Sequence, residues 1–120
     1  MFRLVIAGSR TFNDYELLKK KCDFYLSNKI KENEEIIIVS GTANGADKLG
    51  ERYAQERGFK IEGYPAKWDL YGKSAGYKRN AEMVDVADAV IVFWDGKSRG
   101  TKHTIDLAQK KGVKLVVVKF

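Results

Sequence analysis

Four stretches of this chain gather side chains and glycines that suit an anion. They are Gly8-Ser9-Arg10, the run SGTANGAD from Ser40 to Asp47, the long segment PAKWDLYGKSAGYKRN from Pro65 to Asn80, and DGKSRGT from Asp95 to Thr101. In the first, a glycine admits a ligand close to the backbone, while a serine hydroxyl and an arginine fork can hold phosphate oxygens. In the second, Ser40, Gly41, Thr42, Asn44 and Gly45 lead into a helical pattern. Free amides at a helix start, with the helix dipole behind them, favour an anion. Asp47 then reads as a cap of that helix, a ribose ligand or a tie to another loop. In the last, Gly96 and Gly100 free the backbone, and Ser98, Thr101 and the amides of the next helix make a second cradle facing the first.

Two residues carry chemistry beyond holding an anion. Arg79, beside Asn80 at the end of the long segment, is the strongest candidate for a functional charge, with Lys73 nearby. Asp95 is the acidic exception among basic groups and reads as a general base, a ribose ligand or a partner for Arg99. Arg79 and Asp95 are therefore the catalytic candidates. Trp68 and Tyr71 pack over the sheet edge or wall a pocket against which a base stacks. His103, the single histidine, has no evident triad partners, and the single Cys22 excludes an intramolecular disulfide and a cysteine metal site. No metal or cofactor is expected. The two Gly-Lys-Ser triplets are not phosphate loops of the Walker type, because Lys67 and Ile91 stand where the first glycine is needed.

The elements that must position these groups are legible from hydrophobic pattern. FRLVIA, EIIIVS, KIEGY, AVIVFW and KLVVVKF are short apolar runs that read as strands. Between them, Tyr15, Leu18, Cys22, Tyr25, Leu26 and Ile30 recur at helical spacing, as do Ala46, Leu49, Tyr53, Ala54 and Arg57. Met83, Val84 and Ala87 mark a third helix, and Ile105 and Ala108 a fourth. Strand and helix alternate from end to end. This predicts an α/β, Rossmann-like three-layer sandwich: a mostly parallel five-stranded sheet with helices on both faces. The helix-to-strand connections KENEE, ERGFK, VADA and KKGVK are bland, whereas all four anion-suited stretches run from strand to helix. In such a sheet those loops share the carboxyl edge, which is where the ligand site belongs.

Composition sets the outer bounds. The 120 residues fit one domain spanning 1–120, and 44% apolar with 32% charged residues describes a folded globular chain. A net charge of +6 points to anionic partners. Lys19-Lys20-Lys21 reads as a solvated helix face, and no extended aromatic-and-basic platform is visible. A nucleotide-type small molecule is thus expected rather than nucleic acid. FRLVIAG is too short for a signal sequence, and no apolar stretch approaches a membrane span, which leads to a cytoplasmic expectation.

Taken in this order, GSR, SGTANGAD, PAKWDLYGKSAGYKRN and FWDGKSRGT resemble the YspA/cpYpsA-related branch of the SLOG superfamily, over nearly the whole chain. The superfamily groups the Smf/DprA DNA-processing proteins with the LOG nucleotide phosphoribohydrolases. The resemblance implies a Rossmann-like fold whose glycine loops bind nucleotides or ADP-ribose-like derivatives, and a homodimer by analogy with LOG proteins. LOG enzymes use an arginine in an RKAxM-like stretch, matched here by RNAEM with Arg79, and a glutamate in a PGGxGTxxE-like stretch. SRGTKHT keeps Gly100 and Thr101 of that second stretch but has Thr104 at the glutamate position. The leading expectation is a binding module or sensor for a phosphorylated nucleoside. The alternatives are hydrolysis of the N-glycosidic bond of nucleoside monophosphates, with Asp95 or Asp47 supplying the carboxylate, and DprA-like binding of single-stranded DNA.

Overall fold

The computed structural model describes all 120 residues. The five apolar runs form strands β1 (Phe2–Gly8), β2 (Ile36–Ser40), β3 (Lys60–Gly63), β4 (Ala89–Trp94) and β5 (Lys114–Lys119). They build one sheet in the order β3-β2-β1-β4-β5, and every neighbouring pair is parallel. The helices are α1 (Tyr15–Lys31), α2 (Ala46–Arg57), the short α3 (Trp68–Tyr71), α4 (Ala75–Val86) and α5 (Arg99–Lys111).

The register explains why the central strands are apolar on both sides. Leu4 sits level with Ile38 and Ala89, and Ile6 with Ile91, and these side chains share one face. Their neighbours Val5, Val39, Val90 and Val92 share the other. On the first face α1 and α2 contribute Leu18, Cys22, Leu26, Tyr53 and Ala54; on the second, α4 and α5 contribute Met83, Ile105 and Ala108. Each such aliphatic side chain, fully withdrawn from water, stabilises the fold by about 1.5–3 kcal/mol. Helix α1 begins where Asp14 accepts a hydrogen bond from the Leu17 amide at 3.1 Å, a cap that satisfies one free donor of the first turn. Its apolar stripe ends at Leu26, because Ile30 is 40% exposed.

The long segment after β3 is more ordered than a loop. It folds into α3 and a single 3-10 turn over Gly72–Ser74, and α4 then starts at Ala75. The start is set by the spacing of Ala75, Asn80, Met83 and Val84, all buried on the sheet side of α4. Tyr77, Lys78, Arg79 and Asn80 consequently project from a helix rather than a mobile strap.

Strand order reverses at β1. The chain leaves β1 and β2 towards the α1/α2 face, and leaves β3 and β4 towards the α4/α5 face. A crevice therefore opens at the carboxyl ends of β1 and β4, the place where open parallel sheets bind ligands.

Candidate functional site

That crevice contains a cleft of about 240 Å³. Its floor is Ala7 and Gly8 at the end of β1; its walls are Ala43 and Asp47 from the α2 side, Tyr77, Arg79, Asn80 and Met83 from α4, and Ser98, Thr101 and Thr104 from the start of α5. Trp68 and Lys73 stand at the rim. A second cavity of about 360 Å³ adjoins it, running along Gly41, Thr42, Asn44 and Pro65. Arg10, Ala43, Trp68 and Arg79 line both, so the two arginines occupy the shared wall. Gly8 must be glycine here: a Cβ would fall 2.2 Å from the Phe93 carbonyl oxygen of β4, and no side chain fits at that approach.

Arg79 is half-buried and is held from three sides. Its Nη1 donates to the Gly41 carbonyl and, at 3.5 Å, to that of Tyr64, while Nε donates to Asn80 Oδ1 at 2.9 Å. Asn80 in turn points Nδ2 at the Gly100 carbonyl, 3.3 Å away, and so ties α4 to the first turn of α5. Nη2 is left over. It lies beside Gly76, over which the Trp68 ring also passes. Burial lowers the guanidinium from its ordinary value, with Asp47 opposing and Arg10 reinforcing that shift. It remains charged at neutral pH. Neither Arg79 nor Arg10 enters an ion pair, and Arg10 is exposed.

The SGTANGAD turn is built around its own polar side chains. Ser40 donates to Glu51 Oε2 at 2.6 Å and accepts the Thr42 amide at 3.0 Å. Thr42 is thereby held at φ +64°, a conformation that a β-branched residue avoids and that costs about 1–3 kcal/mol. Asp47 does not cap α2, whose cap position is Gly45. Its Oδ2 instead accepts the Ala43 amide at 3.1 Å, closing the turn. Asp47 is only 5% exposed. Burial pushes its carboxyl up to about 6, against the opposing effects of the Ala43 amide and Arg79.

On the other side, Ser98 caps α5, its Oγ facing Thr101 Oγ1 at 3.0 Å and the Thr101 amide at 3.4 Å. Asp95 shapes the turn before it, with Oδ1 accepting the Lys97 and Ser98 amides, both at 2.8 Å. Those two amides hold its carboxyl below the usual range. Ser9, buried, accepts the Asp95 amide at 3.1 Å and joins the β1 and β4 loops.

Sequence expectations divide cleanly on this geometry. Gly8, Arg10, Asp47, Trp68, Lys73, Arg79, Asn80, Ser98, Gly100 and Thr101 meet at the cleft, and Gly41, Thr42 and Asn44 at the adjoining cavity. Ser9, Ser40, Gly45, Asp95 and Gly96 line neither cavity. The first four organise the loops that do, and Gly96 lies against Lys119 on the far side. Tyr77, Met83 and Thr104 were not singled out as ligand contacts. Tyr77 and Thr104 each follow an anticipated residue by about one helical turn, on Lys73 and Thr101 respectively, which is the periodicity that could have found them. His103 lies outside the cleft, with its ring edge-on to Tyr77 at 4.5 Å. The structure also adds Tyr77 to the anticipated Trp68 and Tyr71 in an aromatic rim: the three are 46%, 51% and 41% exposed, interleaved with Lys67, Lys73 and Lys78.

Comparisons with known proteins agree with this architecture. The Gene 61 protein of Mycobacterium phage D29 is 34% identical over 97% of this chain and 95% of its own. DNA processing protein A from Streptococcus pneumoniae superposes with a TM-score of 0.72 at 21% identity over 97% of this chain. DNA processing protein A from Helicobacter pylori, solved in a study of its single-stranded DNA binding mode, superposes at 0.66 with 24% identity over the same share. The chain spans 49% and 64% of those two proteins, and at such identities the likeness is one of fold. No helix is long and apolar enough to cross a membrane. With the family model matching residues 2–71, more than half of the chain, the protein belongs to the YspA, cpYpsA-related SLOG family.

Proposed function

We propose that the protein binds a phosphorylated nucleoside, a nucleotide or an ADP-ribose-like molecule, in the cleft at the carboxyl edge of the sheet, as a sensor or binding module. The observation that carries this reading is the wall shared by the two cavities. There the exposed Arg10 and the unused Nη2 of Arg79 are the positive charges, and the half-exposed Trp68 ring lines the same wall. An arginine fork suits phosphate oxygens, and an aromatic face suits a base. The first turn of α5 adds free amides on the opposite side. Thr104 supports binding without turnover, since it is buried at the cleft wall where a LOG-type enzyme would need a carboxylate.

The test is a thermal-shift screen of nucleoside mono-, di- and triphosphates, NAD and ADP-ribose. A ligand at a hundred times its Kd stabilises the folded state by about 2.7 kcal/mol, which is readily seen in a domain of this size. If no phosphorylated nucleoside shifts the transition, the reading fails. A short single-stranded oligonucleotide belongs in the same screen because of the aromatic and basic rim. Tight binding that weakens steeply with salt, with no response to mononucleotides, would replace the small-molecule reading by a DprA-like one.

One observation favours a second reading, hydrolysis of the N-glycosidic bond. Asp47 is a carboxyl on the cleft wall with its proton affinity raised towards neutrality, the property a general base needs. Incubation with nucleoside monophosphates separates the two readings. Release of free base that is lost in Arg79→Ala supports hydrolysis, and no release across the panel leaves binding alone.

A further inference from the structure

Asp47 is oddly placed for a residue that only closes a turn. One carboxylate oxygen, Oδ2, is engaged by the Ala43 amide at 3.1 Å, and no protein group donates to Oδ1. Every fully buried side-chain nitrogen or oxygen in the protein has a hydrogen-bond partner. Oδ1 is therefore not fully sealed from solvent, on a residue that lines the cleft and is only 5% exposed as a whole. A carboxylate so withdrawn from water is costly unless a donor reaches it.

The surroundings restrict what that donor can be. Arg10 and Arg79 share the cleft walls with Asp47 and oppose a cation there. A neutral O–H or N–H is left. The distance between the two charges narrows it further. A Cβ placed on Gly41 would stand 2.7 Å from Asp47 Oδ2 and 2.7 Å from Arg79 Nη1, so carboxylate and guanidinium come together beside one glycine. A ligand that satisfies both must carry its anion and its donor on one compact unit. A pentose phosphate does so, because hydroxyls and phosphate share the sugar ring, whereas the amino groups of a base lie beyond the ring.

We propose that Asp47 Oδ1 accepts a hydrogen bond from a free hydroxyl of the ligand's pentose, so that the cleft selects ribonucleotides over their deoxy counterparts. This rests on the nucleotide reading above. Oδ1 has two lone pairs and accepts from one or both of the vicinal hydroxyls, so at least one of the two deoxy series, 2′ or 3′, is rejected. A buried charged acceptor left without its donor lowers affinity by roughly 10- to 100-fold.

The experiment is calorimetric titration of wild type and Asp47→Asn with the four ribonucleoside 5′-monophosphates, their 2′-deoxy and 3′-deoxy analogues, and ribose 5-phosphate. Wild type is expected to bind at least one ribonucleotide about tenfold or more tightly than one of its deoxy analogues. In Asp47→Asn that preference collapses while affinity for the deoxy analogue persists, which shows the fold and the anion subsite intact. Equal wild-type affinity for ribo and both deoxy forms overturns the proposal, and this arm does not depend on the variant folding. A preference that survives in Asp47→Asn overturns it as well. If no member of the panel binds wild type, the nucleotide reading has failed first and takes the proposal with it.

Discussion

The Asp47 carboxylate and the Arg79 guanidinium converge on Gly41, each with an atom 2.7 Å from where a Cβ on that glycine would stand. Gly41 is not in the left-handed region, so its backbone tolerates alanine. The side chains around it do not. Gly41→Ala forces apart the one buried acid of the cleft and its central arginine, and overpacking of this kind costs about 1–3 kcal/mol. Affinity for the nucleotide that binds best is expected to fall by roughly tenfold or more, since both groups lose their placement. Calorimetric titration beside a urea melt measures the two effects. Undiminished affinity in a folded Gly41→Ala would mean that the ligand uses neither group.

The same buried acid gives stability a pH signature. Asp47 titrates near 6 in the folded protein, chiefly through burial and with Glu51 adding to it, whereas an unfolded aspartate titrates near about 3.9. The folded state therefore holds this proton more tightly. The contribution of the group is fully present below about pH 4 and is lost as pH rises through about 6. Asp47→Asn removes the ionisation and leaves an amide oxygen for the Ala43 N–H. It should be more stable than wild type at pH 7 by on the order of 2 kcal/mol, with the gap closing towards pH 4. Denaturant midpoints of both proteins at three pH values check this; parallel profiles would contradict the buried, ionised carboxyl.

Arg10 and Arg79 line the same wall but are held differently, and their variants should separate. Arg79 donates to the Gly41 and Tyr64 carbonyls and to Asn80, so Arg79→Ala leaves buried acceptors unpaired and is expected to cost about 1–3 kcal/mol as well as the ligand. Arg10 is exposed and holds nothing in place. Arg10→Ala should change stability by less than about 0.5 kcal/mol yet weaken a phosphorylated ligand by about tenfold. Thermal unfolding and titration, run together, distinguish a scaffold arginine from a purely ligand-facing one.

Why the fold was readable and the site only partly so follows from particular residues. Val5, Ile6, Val90 and Ile91 form runs too apolar for a one-sided sheet, and strand–helix alternation leaves a parallel sandwich as the arrangement that buries them. Glycine and side chains suited to phosphate, confined to strand-to-helix turns, pointed to the edge where the cleft opens. Sequence spacing does not, however, say which hydroxyl faces the ligand and which faces the turn. Ser40 and Ser98 both belong to strand-to-helix connections, yet Ser40 turns towards Glu51 beneath its loop, while Ser98 lines the cleft. Nor does it report the burial that raises the Asp47 carboxyl or the two amides that hold the Asp95 carboxyl down. The segment from Pro65 to Asn80 hid a short helix because its glycines and lysines outweigh a four-residue pattern. That helix is what brings Trp68 to the wall it shares with Arg79.

Asp95 is the residue for which geometry most changes the expectation. Both amides that bind its Oδ1 belong to the turn leading into α5, and the carboxyl is held ionised well into acid. A group in that state is a poor proton carrier at neutral pH, and it lines neither cavity. Asp95→Ala should therefore loosen the turn rather than remove chemistry. Amide exchange at Lys97 and Ser98 is expected to accelerate, and ligand affinity to fall modestly, because Ser98 and Thr101 at the cleft lose a fixed turn behind them. Asp95→Asn, which keeps an acceptor for one or both amides, should restore most of the affinity. A carboxylate acting directly on the ligand would behave otherwise: the asparagine variant would be as defective as the alanine one, with exchange at Ser98 unchanged.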